Sequence, residues 1–255
     1  MAKLPAQYQF TDLSDYGRYS ARWVAGIFKE TRITPIHITT WFIISGLFAI
    51  VSMLNHYYFL AAGFLILKSI LDAADGELSR LKNTPSYVGR YYDSIADIIL
   101  NFFFLLTFWY ISNESIWLML IAFIGIQLQG TLYNYYYVIL RNNVDGDVTS
   151  RIFEDHIPKA MQGETQRAVN IFYKIYNFLY IPFDKAIYLM DREAMHSKPF
   201  PKWFMTMLSS FGLGFQLLVM AVMLVFHLEM YVIPFLIISS VFIFVFIGIR
   251  RWALA

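Results

Sequence analysis

From about residue 36 onward the chain alternates long apolar runs with short polar breaks. Runs that can cross a bilayer as helix, about 20 residues each, begin near Ile36, Tyr57, Gly89, Ser115, Trp203 and Met230. The pattern predicts an all-α integral membrane protein with six transmembrane helices. Thr34-Pro35 marks the entry to the first, because proline fits the first turn of a helix and cannot extend one arriving from upstream. Ahead of it lies a polar segment, residues 1–34, in which Tyr16, Tyr19, Trp23 and Ile27 recur at helical spacing, with Arg18, Arg22 and Lys29 on other sides. This spacing predicts an amphipathic N-terminal helix on the membrane surface, or a short soluble cap helix.

The remainder, 35–255, reads as one membrane domain interrupted by a polar connection at 141–202. From Glu164 to about Met195 the connection regains a helical rhythm, with Phe172, Tyr176, Leu179 and Phe183 on one side. That side fits three arrangements: resting on the bilayer, capping the cytoplasmic face, or meeting a second copy. The breaks at Asn55-His56, Ser112-Asn113-Glu114 and His227-Leu228-Glu229 contain no Lys or Arg. Lys3, Arg18, Arg22, Lys29, Arg32, Lys82, Arg90, the 141–202 connection and Arg250-Arg251 supply the basic side. The positive-inside rule then makes both termini and the connection cytoplasmic, in the inner membrane if the source is bacterial. An even number of spans requires the same.

Composition agrees: 58% of the 255 residues are hydrophobic, 19% aromatic and only 15% charged. The formal net charge of +2 gives no reason to expect a nucleic acid partner. Cysteine is absent, which excludes disulfides, thiolate ligands and a cysteine nucleophile. The first residues lack an apolar core, so no cleaved signal peptide is expected.

The polar exception lies at Asp72–Asp97. An aspartate at the centre of a membrane helix is disfavoured by about 2.5 to 3.5 kcal/mol, and here Asp72, Asp75, Asp93 and Asp97 sit in or beside spans. The pairs are spaced three and four residues apart, so each occupies one helix face. A turn at Thr84-Pro85 would bring both pairs to one depth on antiparallel helices. Four neighbouring carboxylates raise one another's pKa and favour a bound cation. All-oxygen ligation without cysteine, and without histidine in the stretch, favours Mg²⁺, Mn²⁺ or Ca²⁺. Mg²⁺ commonly completes its shell with substrate phosphate oxygens, which points to a phosphate-bearing substrate. Gly76 and Gly89 would let a ligand approach backbone closely, and Arg80 offers a fork suited to a diphosphate.

The stretch resembles the signature of the CDP-alcohol phosphotransferase family, D-x-x-D-G-x-x-A-R, eight residues, then G-x-x-x-D-x-x-x-D. It runs here as Asp72, Asp75, Gly76, Ser79, Arg80, Gly89, Asp93 and Asp97, with Ser79 in place of the family's alanine. The resemblance implies that Asp72, Asp75, Asp93 and Asp97 hold two Mg²⁺ or Mn²⁺ ions, and that Asp97 is also the general base. It further implies that Gly76, Ser79, Arg80 and Gly89 contact the cytidine diphosphate, and that the protein is a homodimer among membrane lipids. The expected activity is phospholipid synthesis: an acceptor hydroxyl attacks the β-phosphate of a CDP-linked substrate and CMP leaves. The run NTPSYVGRYYDSIAD is similar to bacterial phosphatidylserine synthases, which makes CDP-diacylglycerol the expected donor. The following IILNFFF departs from them and leaves the acceptor open. The same motif serves a CDP-choline or CDP-ethanolamine donor with diacylglycerol as acceptor, while a non-catalytic scaffold or ion-conducting protein is the reading of a different class.

Lys68 lies on the carboxylate face, one turn deeper than Asp72, and either pairs with Asp72 or meets an anionic acceptor. Asn101, Gln127, Gln129, Thr131 and Asn134 add polar positions that line an acceptor pocket or bond between helices. Asn134 and Lys68 are the candidate acceptor-pocket residues. His37, His156 and His196 lack metal-ligand spacing, and His56 and His227 fall at the far turns.

Overall fold

A computed structural model describes residues 4–144 and 156–254. Lys3 and part of the long connection therefore lie outside the described residues. Those described form helices and no strand. In order these are α1 (Arg18–Phe28), α2 (Pro35–Leu54), α3 (Tyr58–Lys82), α4 (Tyr87–Ser112), α5 (Ile116–Asn143), α6 (Gln166–Met190), α7 (Lys202–Leu208), α8 (Leu213–Val225), α9 (Val232–Ser240) and α10 (Phe242–Ala253).

Among the described residues, α2, α4, α5 and the stretch Glu229–Ala253 are long and apolar enough to cross a membrane. Lys202–Phe211 and Leu213–Val225 make a fifth if the pair, bent by 55°, is one span. α3 has the length, 25 residues, but Lys68, Asp72, Asp75, Glu77, Arg80 and Lys82 break its apolar character. The chain is thus multi-pass by composition and helix length.

Each boundary has a local cause. Pro35 opens α2 as expected, and His37 completes a reciprocal cap, its Nδ1 accepting the Thr34 N–H at 3.0 Å. Asn83 and Asn113 end α3 and α4 in the left-handed conformation, which asparagine tolerates better than most residues. Ser86, Ser115 and Thr165 cap α4, α5 and α6 by accepting backbone N–H groups.

The main apolar core gathers residues of α2, α3, α4, α5, α8 and α9, including Phe42, Leu65, Phe104, Leu217 and Leu236. α1 lays Ala21 and Ala25 against Ile38, Ala74 and Leu78, which leaves Tyr19, Trp23 and Ile27 exposed. The bend between α7 and α8 falls where the N-terminal segment crosses. Leu13 N–H donates to Ser209 Oγ at 2.8 Å, and a Cβ on Gly214 would stand 1.9 Å from the Ser14 carbonyl oxygen. Backbone can approach that closely only where glycine has no side chain.

α6 is fixed at both ends. Glu164 accepts from Ser86 Oγ and from Val88 N–H, both at 2.7 Å, which ties the start of α6 to the start of α4. At its other end Asp191, fully buried, pairs with Arg250 (Nε at 2.7 Å) and Arg251 and accepts from the Tyr136 hydroxyl. Between these ties Phe172, Tyr176 and Leu179 pack toward Tyr91 and Ile95 of α4. The predicted aromatic side is therefore the inward one, while Ile171, Ile175 and Phe178 are exposed.

Candidate active site

Asp72 and Asp75 lie ten and seven residues before the end of α3, and Asp93 and Asp97 six and ten residues after the start of α4, so the turn between the helices brings the carboxylates together. The spacing read from sequence places Asp72 and Asp75 on one face of α3, and Asp93 and Asp97 on one face of α4. Carboxylate oxygens of Asp72, Asp75 and Asp93 all lie within 4.8 Å of one another, a separation one cation can bridge. Asp97 enters the site differently. Its Oδ1 is bonded by Lys68 Nζ, which also lies 2.7 Å from Asp72 Oδ2. Lys68 is fully buried, with the Phe42 ring centroid 4.5 Å from its ammonium. The pair with Asp72 is one of the two contacts the sequence offers for this lysine.

The polar supports differ from one aspartate to the next. Asp75 Oδ2 accepts the Thr39 hydroxyl at 2.6 Å, a contact from α2 that nothing in the sequence around Thr39 announces. Asp93 Oδ1 is buried and has no hydrogen-bond partner among the described residues. Leaving a buried carboxylate oxygen unpaired is costly, and a cation shared with Asp72 and Asp75 would relieve it. Asp72, Asp75 and Asp93 therefore suit a hard divalent ion by donor type, spacing and this unmet bond.

The motif's other positions lie along the same stretch of α3 and α4. The Arg80 guanidinium lies over Gly76, where an added Cβ would stand 3.5 Å from Nη1, and its Nη2 pairs with Glu77 at 3.2 Å. Glu77 also lies 3.7 Å from Arg22 of α1. The Ser79 hydroxyl, absent from the family's alanine, donates to the Thr84 carbonyl at 3.1 Å and closes the turn between α3 and α4. Gly89 N–H donates to Ser86 Oγ at 2.7 Å, and a Cβ there would approach that oxygen to 3.0 Å. Lys82 Nζ donates to the carbonyls of Thr31 and Ile33 at 2.6 and 2.7 Å, which anchors the same corner to the α1–α2 link.

α6 supplies groups that sequence reading missed. The Tyr180 hydroxyl donates to the Ser94 carbonyl at 2.7 Å, one residue from Asp93. Burial first, then the nearby Asp97, pushes this phenol well above its ordinary range and keeps it a donor. Burial pulls the Glu164 carboxyl up, but hydrogen bonds from Ser86, Val88, Met161 and Tyr87 outweigh it and hold the group below its usual value.

Other predicted positions stand apart. Asn134 is exposed on α5 rather than packed among the carboxylates, because its helical phase carries it outward there. Asn101 and Gln127 are buried, with Asn101 Oδ1 and Gln127 Nε2 unpartnered. Gln129 bonds across helices to Ser239 and Ser240, at 3.0 and 2.9 Å, and accepts from Gln216 at 3.1 Å. With Phe211, Leu236 and Phe246, Gln129 and Gln216 help line a cavity of about 330 Å³ to which none of the aspartates contributes.

Compared with known proteins, residues 32–163 match the family model described as CDP-alcohol phosphatidyltransferase, a span that contains all four aspartates. No curated protein matches the chain.

Proposed function

The chain belongs to the CDP-alcohol phosphatidyltransferase family, a class that transfers a phosphate-linked group from a CDP-alcohol, and from that premise we propose a membrane enzyme of phospholipid synthesis. Its donor is CDP-diacylglycerol, its acceptor a hydroxyl compound, and its leaving group CMP. The observation that carries this reading is the convergence of Asp72, Asp75 and Asp93 around an unmet Asp93 oxygen, inside the matched span.

Asp72, Asp75 and Asp93 hold Mg²⁺ or Mn²⁺, which when bound supplies electrostatic stabilisation of the charge on the transferring phosphate. Arg80, with Gly76 and Gly89 beside it, receives the diphosphate of the donor, and Ser79 keeps the turn beneath it closed. Asp97 takes the acceptor's proton at the carboxylate oxygen that Lys68 does not hold. As that O–H bond breaks, the acceptor oxygen bonds to the β-phosphorus, the bridge to the α-phosphate breaks, and CMP carries away the bridging oxygen. A carboxylate is a weak base for an alcohol, so most of the acceleration comes from positioning and electrostatics. We further propose six spans, with α3 and the bent α7–α8 pair both crossing, cytoplasmic termini and active site, α1 on the membrane surface, and a homodimer.

The same carboxylates would serve a CDP-choline or CDP-ethanolamine donor with diacylglycerol as acceptor. CMP release decides among the readings. Purified protein with Mg²⁺ or Mn²⁺ is offered each donor with a panel of acceptor alcohols. Release from CDP-diacylglycerol, lost in Asp93→Asn and Asp97→Asn, is the expected result. Release only from the other donors reverses the direction of transfer, and release untouched by both substitutions removes the catalytic claim. No release with any donor favours a scaffold or an ion-conducting protein.

A further inference from the structure

We propose that Lys68 is a resident cation of the site, standing where a second divalent ion would bind, so that the centre holds one ion on Asp72, Asp75 and Asp93. The inference rests on the transferase reading and deepens it. Lys68 Nζ bonds Asp72 from its own helix and Asp97 from the facing one, and so occupies the position between these two carboxylates. Asp97 is not among the residues whose oxygens converge within 4.8 Å. A divalent ion shared by Asp72 and Asp97 would have to take the place of the ammonium.

The lysine has nowhere else to go. Its side chain is fully buried, Phe42 covers one side of the ammonium at 4.5 Å, and the neighbouring Leu65 and Ala61 are themselves buried. Driven off its carboxylates, it would be an unpaired charge in an apolar core, facing the repulsion of the ion that displaced it. Held in place, it pins the Asp97 Oδ1 atom, so that the other oxygen of Asp97 faces the acceptor in a fixed orientation. Lys68 is in this sense a positioning residue for Asp97.

The test counts Mn²⁺ on the detergent-purified full chain by calorimetric titration, with electron paramagnetic resonance to distinguish isolated from coupled ions. CMP release is measured on the same preparations. Wild type is expected to bind one Mn²⁺ per chain with the spectrum of an isolated ion. Lys68→Met should gain a second Mn²⁺ and a coupled spectrum, whereas Lys68→Arg, which keeps the charge, should stay at one. Two coupled ions in a wild-type protein that releases CMP would overturn the lysine assignment alone. So would a Lys68→Met protein that still binds one. A wild type that binds no ion and releases no CMP would overturn the transferase reading as well. Should Lys68→Met fail to fold, the wild-type count and Lys68→Arg still decide.

Discussion

Thr39 donates its hydroxyl to Asp75 Oδ2 at 2.6 Å from within α2, a helix otherwise marked only by apolar length. The bond fixes one oxygen of Asp75 and so sets how that carboxylate presents itself to an ion. Groups that orient metal ligands in this way typically change affinity by about 10–100-fold when removed. Thr39→Val keeps the shape and deletes the donor. Mn²⁺ affinity, read by titration, should fall within that range, while CMP release at saturating Mn²⁺ stays near wild type. Unchanged affinity would mean that Asp75 is oriented by its own helix alone. The contact joins residues 36 positions apart, and its absence from any sequence reading has a physical reason. Helical periodicity converts spacings of three and four into a shared face, so the aspartate pairs are legible in the sequence. A threonine hydroxyl in an apolar helix carries no periodic signal, and its partner is decided by how α2 lies on α3. Lys68 shows the boundary between the two: its link to Asp72 follows from four-residue spacing, whereas its bond to Asp97 depends on the approach of α4.

α6 is the element whose placement the sequence left most open. Its helical rhythm was readable, but the aromatic side suited a bilayer, a cap or a second copy equally, because each offers an apolar surface. In the structure this side turns toward Tyr91 and Ile95 of α4, and two polar ties hold the helix there, one of them Glu164 on Ser86 and Val88. Since hydrogen bonds lower the Glu164 pKa in the folded chain, the tie stabilises the start of α6 at pH values above the ordinary glutamate value of 4.5. That contribution is lost as the pH falls below this value and through the lowered folded one. Hydrogen exchange at the Val88 amide, normalised for intrinsic rate, should therefore lose protection on acidification through that window. Glu164→Gln should show weaker protection with no such pH step. A step of equal size in both proteins would assign the loss to the carboxylates of the site instead. The starts of α4 and α6 meet beside Gly89, which itself bonds Ser86, so loosening this tie should also be felt where the donor is expected to bind.

At the scale of the whole molecule, the breaks between α2, α3, α4 and α5 span only residues 55–57, 83–86 and 113–115, which forces neighbouring helices to run antiparallel. With 25 residues at about 1.5 Å each, α3 must retrace the length of α2. Its charges do not prevent this. Lys68, Asp72 and Asp75 point inward and meet partners there, the usual condition for ionisable groups at membrane depth. The α7–α8 pair, bent by 55°, fits either a broken span or a re-entrant loop. The close passage of Ser14 against Gly212 and Gly214 at the bend accounts for the break without requiring the chain to turn back. Because the chain contains no cysteine, single cysteines introduced at Asn55, Thr84, Lys198 and Leu228, all exposed, can be labelled with a membrane-impermeant maleimide in vesicles of known orientation. Six spans predict that Asn55→Cys and Leu228→Cys react from one side, and Thr84→Cys and Lys198→Cys only from the other. Labelling of Asn55→Cys and Thr84→Cys from the same side would mean that α3 does not cross. Labelling of Lys198→Cys and Leu228→Cys from the same side would make the bent pair re-entrant, leave an odd number of spans, and place the two termini on opposite faces of the membrane.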